Sequence, residues 1–483
     1  MQLTDEQVRI VRSKAQRLAV QAGAGASKTT SLCEYARARP NRKILYLAFN
    51  KSIRAEAQER MPSHVTARTT HSVSWTKAVQ LFGSRAREQT GNTYPSSVAR
   101  ELSCGALMAT AALQTIARWC ASLEDCIGPE HVPAELAVRM ADPGQAVMAA
   151  RRLWELMLKG QFADIRLPHD GYLKLYQLER PVLRGPTTIL VDEAQDLNLC
   201  TFDIVTRQRQ ADIVMVGDES QGIYSFRGAM NALAIFDAQE RLALTRSFRF
   251  GEGIAAVANA LLQGFKPGFK HAIVGAGQPR RTRFAVDTGQ SFAVIARSNA
   301  SIFQEAASFL ALNRRFHFVG GTEGYKLEKI LDAYYLWCGD RGHMRDPYLR
   351  SFESFDALVD LSEGAEEAEL RHLVRAVAEY GHHVPNLVDE IQARHVDLEK
   401  DEWGGFEGIF LSTAHKSKGL EFDQVWLADD YMRFFKDGRA LGPDDVAQEE
   451  VHILYVALTR TRAAVRLPES FEEWLRYRRL MPE

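Results

Sequence analysis

Short apolar runs rich in β-branched and aromatic residues punctuate the chain, each bounded by polar or glycine-containing turns and separated by stretches with amphipathic helical periodicity. Four stand out in the first half: RLAVQAG at 17–23, KILYLAF at 43–49, TTILVDE at 187–193 and ADIVMVGD at 211–218. Between the second and third, residues 83–173 carry helical patterning, as in VARELSCGALMATAALQTIARWCASL. A second set follows, FAVIARSNA at 292–300, GIFLSTAH at 408–415 and DQVWLADD at 423–430, interrupted by a helical stretch at 340–404. Strands alternating with helices predict an α/β chain. The expectation is two parallel sheets in tandem, each with a mainly helical insertion: 1–82 and 174–248 around 83–173, then 249–339 and 405–483 around a reduced insertion at 340–404. Ligands of such sheets gather where the strands end.

A chain of 483 residues exceeds one ordinary core and can build a cleft between domains. Its 46% hydrophobic and 25% charged residues exclude a disordered or fibrous protein. With 60 basic against 61 acidic residues the whole-molecule field gives no hint of a polyanion, so any nucleic-acid surface must be local. Near-neutrality does not exclude DNA as a track, because a stepping protein cannot hold every phosphate tightly. Six cysteines lack paired spacing or histidine-rich company, which argues against zinc and disulfides and for buried reduced thiols. The polar start MQLTDEQ and the lack of a membrane-length apolar run predict a cytoplasmic protein.

The chemistry begins where the first apolar run ends. VQAGAGASKTT at 20–30 follows a predicted strand and precedes a helix, the context of a phosphate loop. Small residues at Ala22, Gly23, Ala24, Gly25 and Ala26 let backbone N–H groups approach phosphates. Lys28 supplies charge near the β and γ oxygens, the Thr29 hydroxyl can ligate magnesium, and Thr30 extends the helix start. Against the pattern GxxxxGK[ST], Ala22 and Ser27 stand at the two glycine positions, and a side chain at 27 restricts the backbone there. Alone, the loop could be a structural turn. TTILVDEAQD at 187–196 adds a strand ending in paired acids, with Asp192 placed to hold magnesium and Glu193 to orient and deprotonate the attacking water. Taken bare, those acids could be a solvated strand end; the upstream loop favours catalysis. Charge for the departing phosphate must come from elsewhere, and Arg249 and Arg460 are candidates, though by themselves they read as ordinary surface arginines.

Ten segments in order, spread through nearly the whole chain, resemble the motifs of the UvrD/Rep family of superfamily 1 helicases, and among them look nearest the F-box DNA helicases. They are LTDEQ at 3–7, AGAGASKT at 22–29, LAFNKSIRAEA at 47–57, ARTTHS at 67–72, VDEAQD at 191–196, VGDESQGIYSFRGA at 216–229, SFRFG at 247–251, AVIARSNA at 293–300, STAHKSKGLEFDQV at 412–425 and LYVALTRTRAAV at 454–465. The resemblance implies two RecA-like domains with ATP and Mg2+ between them. It also implies that Gln7 reads adenine, Phe248 stacks on it, Glu421 holds the ribose, Gln221 senses the γ-phosphate, and Arg249 and Arg460 are arginine fingers.

Single-stranded or tailed duplex DNA would be the partner, gripped by stacking and scattered phosphate contacts. The matching positions are Phe49, Asn50, Thr70, His71, Ser72, Tyr224, Phe226 and Arg227 on the first domain, and Arg297, Asn299 and His415 on the second. Bare of the family, Tyr224 and Phe226 would more often be core; alternation would at least place 224, 226 and 228 on one face of an extended segment. ATP-dependent closure and opening would step the protein along the strand, 3′→5′ as in the family, in repair, recombination or replication. The reduced second insertion and the short strand and helix expected after Arg460 make translocation a firmer expectation than strong unwinding. A rival from another class is a DNA-stimulated ATPase that switches an unidentified protein partner, favoured by Ser27. A small-molecule kinase would show no stimulation by single-stranded DNA.

Overall fold

The computed structural model describes residues 2–48, 50–225, 228–346, 348–362 and 368–482, and its contacts divide the chain into two units, Met1–Ala22 with Ser27–Leu244, and Gly23–Ala26 with Thr245–Glu483. The first unit holds a six-stranded sheet of β1 (Arg17–Ala22), β2 (Ile44–Ala48), β3 (Val65–Thr69), β4 (Thr188–Val191), β5 (Asp212–Gly217) and β6 (Glu240–Leu244). Its order is β3-β2-β4-β5-β1-β6 and every pair is parallel. Parallel strands need crossovers over the sheet faces, which buries both sides and explains the unbroken apolar runs. Ala19, Leu47, Ile189, Val191, Ile213 and Met215 form one side of its core.

The second unit begins with a two-residue ladder, β7 (Arg246–Ser247) against β8 (Val274–Gly275). Its main sheet holds β9 (Phe292–Ala296), β10 (Phe316–Phe318), β11 (Ile409–Thr413), β12 (Phe422–Leu427) and, after a small hairpin of β13 (Phe435–Lys436) and β14 (Arg439–Ala440), β15 (Thr461–Arg466). The order is β10-β11-β9-β12-β15, again all parallel. Two RecA-like parallel sheets in tandem are therefore present, each interrupted by helices.

The first insertion owns a core. Val98, Ala112, Ile116, Trp119, Leu153 and Tyr172 pack together, and Ala78 and Phe82 of the helix Thr70–Phe82 join them, so the packing starts before residue 83. The helices Leu327–Cys338, Ala368–Tyr380 and Val384–Arg394 share one core with the second sheet through Ile330, Val377 and Val388. Packing here likewise begins before residue 340. Cys33, Cys120 and Cys200 are buried, but Cys126 and Cys338 are exposed, unlike the buried thiols expected. Among the described residues no helix is long and apolar enough to cross a membrane.

Candidate nucleotide and strand sites

On the first unit β1 ends at Ala22 and the helix Lys28–Arg37 starts six residues later, with Ser27 at its N-cap. Ser27 adopts φ 56° and ψ 46°, the left-handed region in which glycine would be free of strain, and its side chain makes no capping bond. Its carbonyl instead accepts the Ser31 hydroxyl at 3.1 Å. Lys28 Nζ comes within 3.5 Å of Glu193 Oε1, and Thr29 Oγ1 donates to Asp192 Oδ2 at 3.0 Å. The sheet order brings these together, since β4 and β1 flank β5 and both end on the same side.

Asp192 is buried, and burial followed by the neighbouring Glu193 raises its pKa, with Lys28 and a Tyr46 hydrogen bond opposing. Tyr46 Oη donates to Asp192 Oδ2 at 2.7 Å, which the β2–β4 register permits because Tyr46 lies opposite Leu190, two residues before the acid. Glu193 is also left-handed, at φ 53°, and Gln195 Nε2 donates to its Oε2. Gln195 Oε1 in turn accepts the Asp218 N–H at 2.9 Å, and Asp218 Oδ2 accepts Gln221 Nε2 at 2.7 Å. A hydrogen-bonded row thus runs from Glu193 to Gln221. Gly217 is bare because a Cβ there would overlap Gln195 Oε1. Sequence reasoning missed Tyr46, Gln195 and Asp218; the signal for Gln195 was its place two residues after Glu193 inside VDEAQD.

Gln7 is buried with its Oε1 accepting the Thr4 N–H in a capping box and its Nε2 3.4 Å from Ser31 Oγ. Thr30 Oγ1 accepts Arg60 Nη2 at 2.9 Å. Asn50 caps the helix Lys51–Arg60, and Ser72 closes a capping box with Thr69 at the start of the helix bearing Thr70. His71 Nε2 lies 2.9 Å from Asp170 Oδ1 of the insertion. Tyr224 is half-buried in backbone without regular secondary structure, and the alternation expected at 224, 226 and 228 includes Phe226, which lies outside the described residues. Phe49, Phe226 and Arg227 lie outside the described residues.

The second unit, which by its contacts includes Gly23–Ala26, gathers the other predicted residues. Phe248 N–H donates to Gly25 O at 2.9 Å and Ala24 N–H to Tyr455 Oη at 3.2 Å. Gly25, at φ +72°, approaches so closely that a Cβ would lie 2.7 Å from Arg249 Cβ. Arg249 donates to Glu421 Oε2 at 3.0 Å and to Thr459 O at 2.8 Å. Arg460 is buried and spends its guanidinium on Val456 O at 2.8 Å and Thr459 Oγ1 at 3.1 Å, so both arginines meet at Thr459. Arg297 is clasped by Glu450 through both carboxylate oxygens, its own N–H held by Asp430 Oδ1 at 2.8 Å. Asn299 opens the helix Asn299–Ala311, and His415 lies in the helix Ala414–Ser417 after β11.

A further group, His317, His395 and Asp397, gathers beside β10. His317 Nδ1 donates to Val396 O at 2.8 Å and leaves Nε2 free, but His395 Nδ1 accepts the Phe318 N–H at 3.2 Å. The neutral His395 ring then carries its proton on Nε2 and has no lone pair to offer there, so the trio is not poised to hold a metal.

A phosphate loop and an acid-ended strand on the first of two parallel α/β sheets define a P-loop chain of the RecA-like class. Residues 176–240 match the UvrD/REP helicase N-terminal domain, and residues 350–467 the UvrD-like helicase C-terminal domain. The chain is 30% identical over 98% of its length to F-box DNA helicase 1 of Gallus gallus, covering 50% of that protein. It is 30% identical over 97% of its length to F-box DNA helicase protein 1 of Schizosaccharomyces pombe, covering 57%. Identity to the ATP-dependent DNA helicase PcrA of Leuconostoc citreum is 22%, over 59% of this chain and 54% of the other. The chain belongs to the UvrD/Rep-like helicase family. It spans about half the length of the curated relatives it matches.

Proposed function

We propose that the chain is an ATP-driven motor on single-stranded DNA, a cytoplasmic helicase or translocase moving 3′→5′ in repair, recombination or replication. The observation that carries this reading is the convergence of Lys28, Thr29, Asp192 and Glu193 at the ends of β1 and β4. Two hard oxygen donors 3.0 Å apart, Thr29 Oγ1 and Asp192 Oδ2, suit magnesium, which when bound neutralises phosphate charge. Lys28 positions the β and γ phosphates of ATP. Glu193, held by Gln195, orients the attacking water and takes its proton. The row through Gln195 and Asp218 supports Gln221 as the residue that reports the γ-phosphate to the segment carrying Tyr224. Gln7, Phe248 and Glu421 hold adenosine, and Arg249 with Arg460 stabilises the leaving phosphate.

The strand is held by Asn50, Thr70, His71, Ser72 and Tyr224, with Phe49, Phe226 and Arg227, and by Arg297, Asn299 and His415. The deciding experiment measures ATP hydrolysis with and without single-stranded DNA, then direction of travel on end-labelled strands. Hydrolysis that DNA fails to raise would end the motor reading. Release of a strand from a 3′-tailed duplex separates a helicase from a translocase.

A further inference from the structure

Lys416 is a cation that burial penalises and that no acid among the described residues offsets. It lies in the helix Ala414–Ser417, beside His415 and just beyond the C-terminal end of β11. Burial lowers its pKa, and among the described residues no carboxylate pairs with it. Glu323, exposed on the facing loop, makes no ion pair with it. Arg297, the cation of this unit read as a strand contact, is already neutralised by Glu450.

The ammonium is nevertheless held in place. Its Nζ sits 4.2 Å from the centre of the Tyr325 ring, and the Tyr325 hydroxyl, 2.9 Å from both Val319 O and Leu411 O, fixes that ring between β10 and β11. Around it runs a loop without side chains on the near side. Gly320 and Gly321 both adopt φ +78°, a Cβ on Gly320 would lie 3.7 Å from Nζ, and one on Gly321 would meet nothing within 4 Å. A Cβ on Gly324 would overlap Nζ itself. Cation–π attraction is worth about 1 kcal/mol at a partly exposed site, less than a charge-assisted bond to an anionic oxygen. The site is therefore arranged for an anion at the end of a parallel sheet, where ligands bind.

We infer that Lys416, with the glycine loop 320–321, forms a subsite for one phosphodiester of single-stranded DNA, added to the strand contact read at the neighbouring His415. The inference rests on the motor reading. A charge contact of this kind is blind to base identity, as a strand tracker requires.

The test is equilibrium binding of a labelled oligothymidylate to the full chain across a salt series, for the parent, Lys416→Met and Lys416→Arg. Methionine keeps an unbranched stem over Tyr325 while removing charge. For a single strand, one lost phosphate contact makes the slope of log K against log salt shallower by about 0.7, hence about a fivefold loss at 0.1 M. That is the expected result for Lys416→Met, with arginine restoring both quantities. Gly324→Ala, which displaces the ammonium from Tyr325, shifts binding in the same direction. A parent that binds DNA beside a Lys416→Met with unchanged slope overturns this inference alone. A loss of ATP affinity in Lys416→Met without a change in slope assigns the charge to nucleotide phosphate and also overturns it. A parent that binds no single-stranded DNA overturns the motor reading and the subsite together.

Discussion

Ser27 and Glu193 both hold left-handed backbone at the heart of the nucleotide site, and each invites a substitution. At Ser27 the conformation costs about 1 kcal/mol that glycine would not incur, while glycine loosens the unfolded chain by about 0.4–1 kcal/mol. Ser27→Gly is therefore expected to leave the urea midpoint unchanged or slightly raised, and steady-state ATP hydrolysis undiminished. A severe loss of turnover would show that the Ser27 hydroxyl has a role of its own. Glu193→Gln keeps the shape and the neighbourhood of Gln195 but removes the proposed base. Turnover should fall by about a hundredfold to ten-thousandfold while ATP and DNA binding persist. Hydrolysis at the parent rate would take the base away from Glu193.

At the scale of elements, the helix Asn299–Ala311 is held by an acid at its start and carries a half-buried acid within. Glu450 occupies Arg297 from one side, so Glu450→Gln should release the guanidinium and tighten binding of single-stranded DNA, with a salt slope steeper by about 0.7. An unchanged slope would remove Arg297 from the strand path. Glu305, on the same helix, has its pKa pushed up to about 7, chiefly by burial, with Arg466 opposing and Asp430 and Asp429 adding to the rise. The folded-state value lies above the ordinary 4.5, so its contribution to stability is complete below that pH and is lost as pH rises through about 7. Thermal melts from pH 5 to 8 should fall more steeply for the parent than for Glu305→Gln; parallel curves would contradict this. Strands buried on both faces, such as β4 and β9, were legible because every position is apolar or small. The edge strand β3 alternates buried and exposed residues, and β10 has only three, too little pattern to read. Lys28, Thr29, Asp192 and Glu193 were legible as contiguous motifs. Tyr46 and the clasp of Arg297 by Glu450 were not, because they depend on register and on residues far apart in the chain.

Across the whole molecule, each sheet is split by helices that the chain must traverse before returning to it. In the first unit β1 pairs with β5 and β6, and β2 with β3 and β4, so no ladder joins the β1 side to the β2 side until β4 and β5 have arrived. The first insertion, by contrast, owns a core built from residues 78–172. During synthesis it can fold while β1 waits as an unpaired apolar strand, a form of exposure that slows assembly and invites aggregation. A ribosome-stalled chain displaying residues 1–187 should show a protease-resistant fragment from the helices and cleavage around β1. Resistance at β1 in that nascent chain would mean that something else shelters it. The interrupted sheet thus makes birth order a matter of risk: the lobe that breaks the fold matures first, and the sheet that carries Lys28 matures after it, its opening strand exposed for the whole interval.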